Sequence, residues 1–192
     1  MRPIGRGCTG GMFRLRDARF SRHPVSVLRM ATKGDAPFLC EMLYDAAVPP
    51  NTPRPSLEEV LAEPRNARFV DDWGRPGDLG VVAEERGQPV GAAWLRLHTG
   101  EEIAPGYSGG AVAQLAIGLV PSARGIGWGR KLLDKLLDEA RSLGLGEVQL
   151  TVGLANVPAI RLYQRVGFSI LVSDGRSARM ICRLNSRSSP EE

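Results

Sequence analysis

The hydrophobic and polar positions of the chain change period several times, which is typical of strands alternating with helices. Residues 25–30 form a short apolar run, and apolar residues then recur at helical spacing over residues 36–47. Prolines follow, and a Ser-x-x-Glu capping box at Ser56 opens a second helix that ends near Pro64. The pattern in this part of the chain predicts one strand followed by two helices.

Three strands and an amphipathic helix follow. Residues 80–84 and 90–96 flank a turn-rich link that is typical of a hairpin, and residues 111–120 predict a longer apolar strand. Leucines at helical spacing over residues 132–140 predict the helix. The last predicted elements are a strand at 147–152, a helix opened by Pro158, and an antiparallel pair at 168–172 and 179–184.

The resulting order, βααβββαβαββ, predicts a single α/β domain with a mixed sheet over residues 25–184. The length of 192 residues is close to that of one domain. Residues 1–24 are rich in glycine and arginine and have no apolar period, so we expect a disordered basic extension there. For residues 185–192 we expect a flexible tail.

The positive charge of the chain is concentrated near its start. The net charge is +4, yet residues 1–30 carry seven arginines and one aspartate, which leaves the rest of the chain at −2. A nearly neutral body does not favour nucleic-acid binding by a basic face. No apolar run reaches the roughly 18 residues of a membrane helix. Three cysteines and two histidines, widely spaced, favour neither a metal cluster nor a disulfide framework and suit the reducing cytoplasm.

Glycines at alternate positions stand between the long strand and the amphipathic helix, in the run Arg124-Gly125-Ile126-Gly127-Trp128-Gly129-Arg130. A helix N-terminus offers unpaired N–H groups and the positive end of the helix dipole, and glycines let the backbone approach an anion closely. The two arginines can add charge-assisted hydrogen bonds. The spacing matches neither a Rossmann fingerprint nor a P-loop. The run therefore predicts a phosphate site, and a tight strand-to-helix connection is the alternative.

A second cluster begins at Asn156, where a helix starts, and includes Tyr163 about two turns later on the same helix face. Taken alone, Asn156 is typical of an N-cap and Tyr163 of a core aromatic. Together, the Arg-x-x-Gly-x-Gly run and the segment Asn156…Ala159-Ile160-x-Leu162-Tyr163…Gly167-Phe168 resemble the GNAT superfamily of acetyl-CoA-dependent N-acetyltransferases. The resemblance covers residues 27–183, and the order of elements matches it.

This resemblance implies a GNAT-like α/β fold, with a twisted mixed sheet of about six to seven strands, about four flanking helices, and splayed fourth and fifth strands. It also implies that the strand before the glycine run binds the acetyl and pantetheine amides through its backbone, and that the run itself cradles the pyrophosphate. Asn156 would contact the pantetheine arm, and Tyr163 would protonate the departing thiolate as the catalytic residue. The implied cofactor-binding residues are Ile117, Gly118, Leu119, Arg124, Gly125, Ile126, Gly127, Trp128, Gly129, Arg130 and Asn156.

Two of these residues have a second interpretation. Gly118 fits a bulge that would splay the strands, and it also fits a small residue in a packed strand. Trp128 stands where the family usually has an aliphatic residue, and we interpret its side chain as packing rather than catalysis.

The sequence does not assign a general base. The related ribosomal-protein alanine acetyltransferases have a glutamate where this chain has Thr151, and the long strand offers Gln114 but no carboxylate. The remaining candidates are each more typical of a solvated surface group: Asp72, Asp78, Glu84, Glu85, His98, Glu101 and Glu102.

These observations predict an acetyl-CoA-dependent N-acetyltransferase in which a primary amine attacks the thioester directly. Acetyl-CoA is the expected co-substrate, and no metal is expected. A small-molecule amine is the favoured acceptor; a peptide or protein amine (an N-terminus or a lysine) and a non-catalytic acyl-CoA sensor are the alternatives. Neither nucleic acid nor a membrane is expected as a partner, and a homodimer is left open.

Overall fold

A seven-stranded sheet runs through the computed structural model, which describes residues 26–48, 53–99 and 111–184. The strands are β1 (Ser26–Met30), β2 (Leu79–Glu85), β3 (Gln88–Thr99), β4 (Ala111–Leu119), β5 (Glu147–Gly153), β6 (Ser169–Ser173) and β7 (Ser177–Arg183). They lie in the order β1-β2-β3-β4-β5-β7-β6. Neighbouring strands are antiparallel except for the parallel pair β4 and β5, so the sheet is mixed.

Five α-helices are found in the described residues: α1 (Ala36–Ala47), α2 (Leu57–Ala62), α3 (Pro64–Ala67), α4 (Trp128–Ser142) and α5 (Val157–Arg165). The mixed sheet of six to seven strands with an open β4/β5 pair is confirmed. The capping box is present, because the Ser56 side chain accepts a hydrogen bond from the Glu59 amide at 3.1 Å. Helix α2 ends at Ala62, close to Pro64 as expected. Pro64 itself begins a further short helix, α3, which was not predicted; the first helical position needs no N–H donor, so proline suits it.

Some of the segments and residues singled out in the sequence analysis lie outside the described residues. The basic extension at 1–24 and the tail at 185–192 lie outside the described residues, as do Glu101 and Glu102. In the described ranges, no helix is both long and apolar enough to cross a membrane.

The sheet separates two apolar cores. On one face α4 packs through Leu132, Leu133 and Leu136, all fully buried, and α5 joins it. On the other face α1 packs near Trp94 of β3. Among the described residues, the core on the α1 side takes no side chain from β5, β6 or β7. The described apolar cluster on that face therefore reaches from β2 to β4.

Strand β6 forms one edge of the sheet and exposes three successive apolar side chains. Ile170, Leu171 and Val172 are each about half exposed. Ile170 pairs with Met180 of β7 and Val172 pairs with the adjacent Arg179, so Leu171 is one residue extra. The edge strand thus carries a β-bulge.

Candidate functional site

The parallel strands β4 and β5 part from each other soon after they meet. Their register is recorded at one pair of residues, Gln114 and Gln149. On its other side β4 pairs with β3 without a register shift, from Thr99 opposite Ala111 to Gly91 opposite Leu119. The ladder between β3 and β4 therefore contains no bulge at Gly118, and the open pair forms without one.

Gly118 has a different structural reason. A Cβ atom at this position would overlap the Met42 carbonyl oxygen and lie 2.8 Å from both the Met42 carbonyl carbon and its Cβ. Helix α1 thus passes directly over β4 at this residue, and a hydrogen is the only side chain that leaves room. The structure favours the second interpretation of Gly118, a small residue under close packing.

The glycine run forms an exposed turn at the start of α4. Gly125 and Gly127 have φ angles of +75° and +98°, which favour glycine. A Cβ on either residue would meet nothing within 4 Å. Packing therefore does not require glycine here, whereas the backbone conformation does. Gly127 is the N-cap of α4 and has no side chain to cap it, so the first amides of the helix remain available to an anion.

The two arginines of this run have different surroundings. The Arg124 Nε donates to the Leu119 carbonyl at 2.9 Å, and its Nη2 lies 3.6 Å from Asp45 Oδ2 of α1. Arg130 lies on the exposed face of α4, with its Nε 3.3 Å from Asp134 Oδ2. Exposed pairs of this kind contribute little energy, so both guanidinium groups can exchange their partners for a phosphate.

Trp128 packs inside the protein. Its side chain belongs to the core on the α4 side and is 4% exposed, and its indole N–H donates to the Glu85 carboxylate at 2.5 Å. The packing role expected for this side chain agrees with these contacts. Only the Trp128 amide, in the first turn of α4, remains on the side of the glycine turn.

Gly129 brings the separate motifs together. A Cβ at this position would lie 2.9 Å from Leu162 Cδ2 of α5 and 3.5 Å from Leu119 Cδ1 at the end of β4. The start of α4, the end of β4 and the middle of α5 therefore meet at one point. The glycine run and the segment of α5, which the sequence analysis grouped only through the family resemblance, are thus neighbours in space.

Asn156 caps α5, as an asparagine at this position commonly does. Its side-chain oxygen accepts a hydrogen bond from the Ala159 amide at 3.2 Å. The residue is exposed, and its side-chain amide can contact a ligand while its oxygen caps the helix.

Tyr163 is buried in the core on the α4 side. The residue is 9% exposed, and its ring packs 5.8 Å from the Phe168 ring between centroids. Within the described ranges the hydroxyl has no hydrogen-bond partner, and desolvation is the cause of its pKa shift. Burial raises the pKa of Tyr163 to about 12. The phenol therefore stays protonated at neutral pH and can donate its proton or a hydrogen bond.

Comparison with known proteins decides the family. A sequence profile described as the acetyltransferase (GNAT) family matches residues 40–168, more than half of the chain. The chain belongs to the GNAT acetyltransferase family. The match includes most of α1, the splayed strands, the glycine turn and Tyr163.

Curated relatives of this GNAT acetyltransferase share its core. The mycothiol acetyltransferase of Cellulomonas flavigena is 36% identical over 116 residues, which is 60% of this chain and 33% of that protein. The mycothiol acetyltransferase of Thermobispora bispora is 37% identical over 102 residues, which is 53% of this chain and 33% of that protein. The matched segment therefore spans about a third of the length of these relatives.

Solved structures match over most of the chain. The ribosomal-protein-alanine N-acetyltransferase of Brucella melitensis is 26% identical with a TM-score of 0.60, covering 82% of this chain and 99% of its own. The Salmonella typhimurium protein yncA, solved with its cofactor acetyl-CoA, is 26% identical with a TM-score of 0.57, covering 86% of this chain and 98% of its own.

Four of the five described candidates for a general base are held by contacts with other residues. Glu84 Oε1 lies 2.6 Å from Arg29 Nε, and Glu85 holds the Trp128 indole. Both are on β2, two strands away from β4. Asp78 is 2% exposed, and its Oδ1 lies 2.9 Å from Arg96 Nε. His98 is fully buried, with its ring 5.5 Å from the Phe69 ring. Asp72, the remaining described candidate, is an exposed residue with a φ of +52°.

Sequence reasoning did not identify Asp45, which lies near the glycine turn, or Gln149, which lies where β4 and β5 part. Asp45 contacts Arg124, and its other carboxylate oxygen lies 3.0 Å from Arg54 Nη2. Gln149 pairs with Gln114 where the strands part and is almost completely buried. A polar residue between the apolar residues of β5 was the available signal for Gln149, whereas Asp45 reaches the site only through the placement of α1.

Proposed function

We propose that this GNAT acetyltransferase transfers the acetyl group of acetyl-CoA to the primary amine of a small molecule. The exposed glycine turn at the start of α4 carries the proposal. Its two residues with positive φ have open space at their Cβ positions, and the available amides of α4 and two arginines surround it. This donor set suits the pyrophosphate of CoA.

In this proposal the end of β4 binds the acyl-pantetheine arm. Ile117, Gly118 and Leu119 line the side of β4 that parts from β5, where backbone groups can pair with the amides of the arm as a strand would. An N–H of Ile117 or Leu119 would stabilise the oxyanion of the transition state. Ile126 and Trp128 contribute main-chain groups in the turn, and Asn156 contacts the arm from the start of α5. Acetyl-CoA supplies an activated thioester when it is bound.

The amine must be neutral to attack the thioester. In this proposal the chain supplies a proton donor for the leaving thiolate but no base for the amine. An alkylamine with a pKa of about 10.4 is neutral in fewer than about one molecule in 10³ at pH 7. Asp78, Glu84 and Glu85 are paired with other residues, so the proposal assigns proton removal to water rather than to one of these carboxylates. Tyr163 holds its proton and donates it to the leaving thiolate.

Direct attack is favoured over an acyl-enzyme. Cys40 and Cys182 are the two cysteines in the described part of the chain. Burial raises the pKa of both thiols, which disfavours the thiolate that a nucleophile needs. Neither cysteine therefore competes with the amine for the acetyl group.

The relatives favour a small acceptor over a protein. The mycothiol acetyltransferases, 36–37% identical, are named for a small molecule, whereas the Brucella neighbour, 26% identical, is named for a ribosomal protein. Thr151 also stands in place of the glutamate expected in the ribosomal-protein branch. The alternatives remain a protein N-terminal or lysine acetyltransferase and a non-catalytic acyl-CoA sensor. The proposed domain spans residues 25–184 and acts in the cytoplasm.

The proposal is tested by CoA release. Purified full-length protein is mixed with acetyl-CoA and a panel of small amines, amino acids and peptides, and free CoA is measured with a thiol reagent. We expect release above the hydrolysis background with at least one small amine. Release with peptides alone would favour the protein-acetylating alternative. Measurable acetyl-CoA binding with no release across the panel would favour the sensor.

Tyr163→Phe should separate turnover from binding. The ring packing is retained, and the proton donor is lost. We expect an acetyl-CoA affinity close to that of the wild type and a turnover reduced by about 10- to 10³-fold. Calorimetry and the CoA-release assay measure the two quantities. If the variant and the wild type have equal turnover, the role of Tyr163 is packing and not catalysis.

A further inference from the structure

Two glutamines lie opposite each other where β4 and β5 part. Gln114 and Gln149 are the registered pair of these strands, and they are 1% and 4% exposed. Among the described residues, Gln114 Nε2 and Gln149 Oε1 are buried without a hydrogen-bond partner. Buried polar atoms are nearly always hydrogen bonded in folded proteins, so this donor and this acceptor are available to a further hydrogen-bonding group.

The orientation of one amide is fixed by its neighbour. Gln149 Nε2 donates to Glu147 Oε1 at 2.6 Å. An ionised carboxylate only accepts hydrogen bonds, so the NH₂ end of Gln149 points to Glu147 and the carbonyl oxygen is left as an acceptor. Gln114 contributes the unused N–H donor. The pair therefore offers one donor and one acceptor.

Both side chains lie on the α1 face of the sheet. The residues that flank each glutamine along its strand belong to the core on the α4 side: Ala113, Leu115, Val148 and Leu150. Since side chains alternate between the faces of a strand, the glutamines are directed to the opposite face. That is the face on which the described apolar cluster includes residues of β4 and none of β5.

The glutamine pair continues into an accessible part of this face. The next residues on the same face are Ala116 of β4, which is half-buried, and Thr151 of β5, which is exposed. Gln114 precedes Gly118 by four residues, roughly 13 Å along the strand. The pair is therefore too far from the end of β4 to act on the reacting amine, and it can contact the rest of an acceptor molecule.

We propose that Gln114 and Gln149 bind an uncharged hydrogen-bonding group of the acceptor, a hydroxyl or a carboxamide, at a distance from its reactive amine. Each of these groups carries both a donor and an acceptor, which complements the pair. The pair carries no charge, and an apolar group would leave both buried atoms unsatisfied. This inference rests on the proposed function and names its acceptor class as amino alcohols, amino sugars or amino carboxamides.

The test compares amines of equal length that differ in one group. The wild type and the variants Gln114→Met and Gln149→Met are assayed for CoA release with a series of ω-amino alcohols, ω-amino carboxamides and alkylamines. Methionine keeps the length of the side chain and removes its hydrogen bonds. Gln88→Met, at the exposed start of β3, is the matched control.

The expected result is a preference that the variants lose. In the wild type we expect kcat/KM for the best hydroxyl or carboxamide substrate to exceed that of its alkylamine by about tenfold or more. Each variant should reduce this ratio by about three- to tenfold, mainly through KM, while Gln88→Met keeps it. The better of the hydroxyl and carboxamide series identifies the group that is bound.

Other results would overturn the inference. A wild type that turns over amines without this preference contradicts it, and so do variants that keep the ratio, because a bridging water or packing alone would then account for the pair. An equal loss with all amines also leaves the ratio unchanged and rejects the inference. No CoA release with any amine rejects the proposed function as well.

Discussion

Gly118→Val should unfold the protein at a much lower denaturant concentration than the wild type requires. The added Cβ would overlap the Met42 carbonyl group, which belongs to the backbone of α1 and cannot rotate away. Either α1 moves off the sheet or β4 bends, and both disrupt the packing around Leu39 and Trp94. We expect a loss of about 3 kcal/mol or more in the free energy of unfolding, at the upper end for overpacked sites.

A matched substitution separates this clash from the effect of losing a glycine. Gly153 lies at the end of β5, and a Cβ there would meet nothing within 4 Å. Gly153→Val should therefore change the free energy of unfolding by less than about 1 kcal/mol, since valine suits a strand. Urea denaturation followed by circular dichroism measures both variants. Similar midpoints for the two would mean that α1 does not approach β4 as closely as described.

Gly127→Val is expected to weaken acetyl-CoA binding strongly. A φ of +98° strains any L-residue by roughly 1–2 kcal/mol, so the turn would rearrange and misdirect the first amides of α4. The side chain would also occupy the open space above the turn. We expect the affinity for acetyl-CoA measured by calorimetry to fall by at least about tenfold, the loss of one or two charge-assisted hydrogen bonds.

The control for this variant lies at the other end of the same helix. Gly144 follows α4, has a φ of +77°, and likewise has no atom within 4 Å of a Cβ position. Gly144→Val should have a comparable effect on stability and leave the acetyl-CoA affinity unchanged. Equal affinities of Gly127→Val and the wild type would place the pyrophosphate elsewhere. Gly129 is unsuitable for this test because a side chain there would contact Leu162 and disturb α5.

The sequence predicted most elements because their signals are local. The leucines of α4 and the capping box at Ser56 are read within a few residues, and both are present in the structure. The glycine turn was predicted for the same reason, since positive φ and an open helix N-terminus depend on neighbouring residues only. Pro64 shows the limit of such signals: a proline breaks one helix and suits the first turn of the next equally well.

The features that sequence reasoning left open or missed depend on contacts between distant segments. Gly118 is glycine because α1 crosses β4 there, and nothing near Gly118 in the sequence indicates where α1 lies. The side-chain pattern of β5 is typical of a half-buried strand, and nothing in that pattern indicates that Gln149 is buried beside Gln114. Spacing alone therefore located the turn but could not identify the pair at the strand junction.

The bulge in β6 has a consequence for the behaviour of the protein at high concentration. An edge strand with exposed Ile170, Leu171 and Val172 would otherwise be a template for strand addition by another chain, the first step of sheet-like aggregation. The extra residue Leu171 interrupts the regular spacing of hydrogen-bonding groups, so an incoming strand cannot stay in register along the whole edge. The irregular strand thus protects an exposed apolar edge from strand addition. Removing its extra residue would make the purified protein more prone to precipitate.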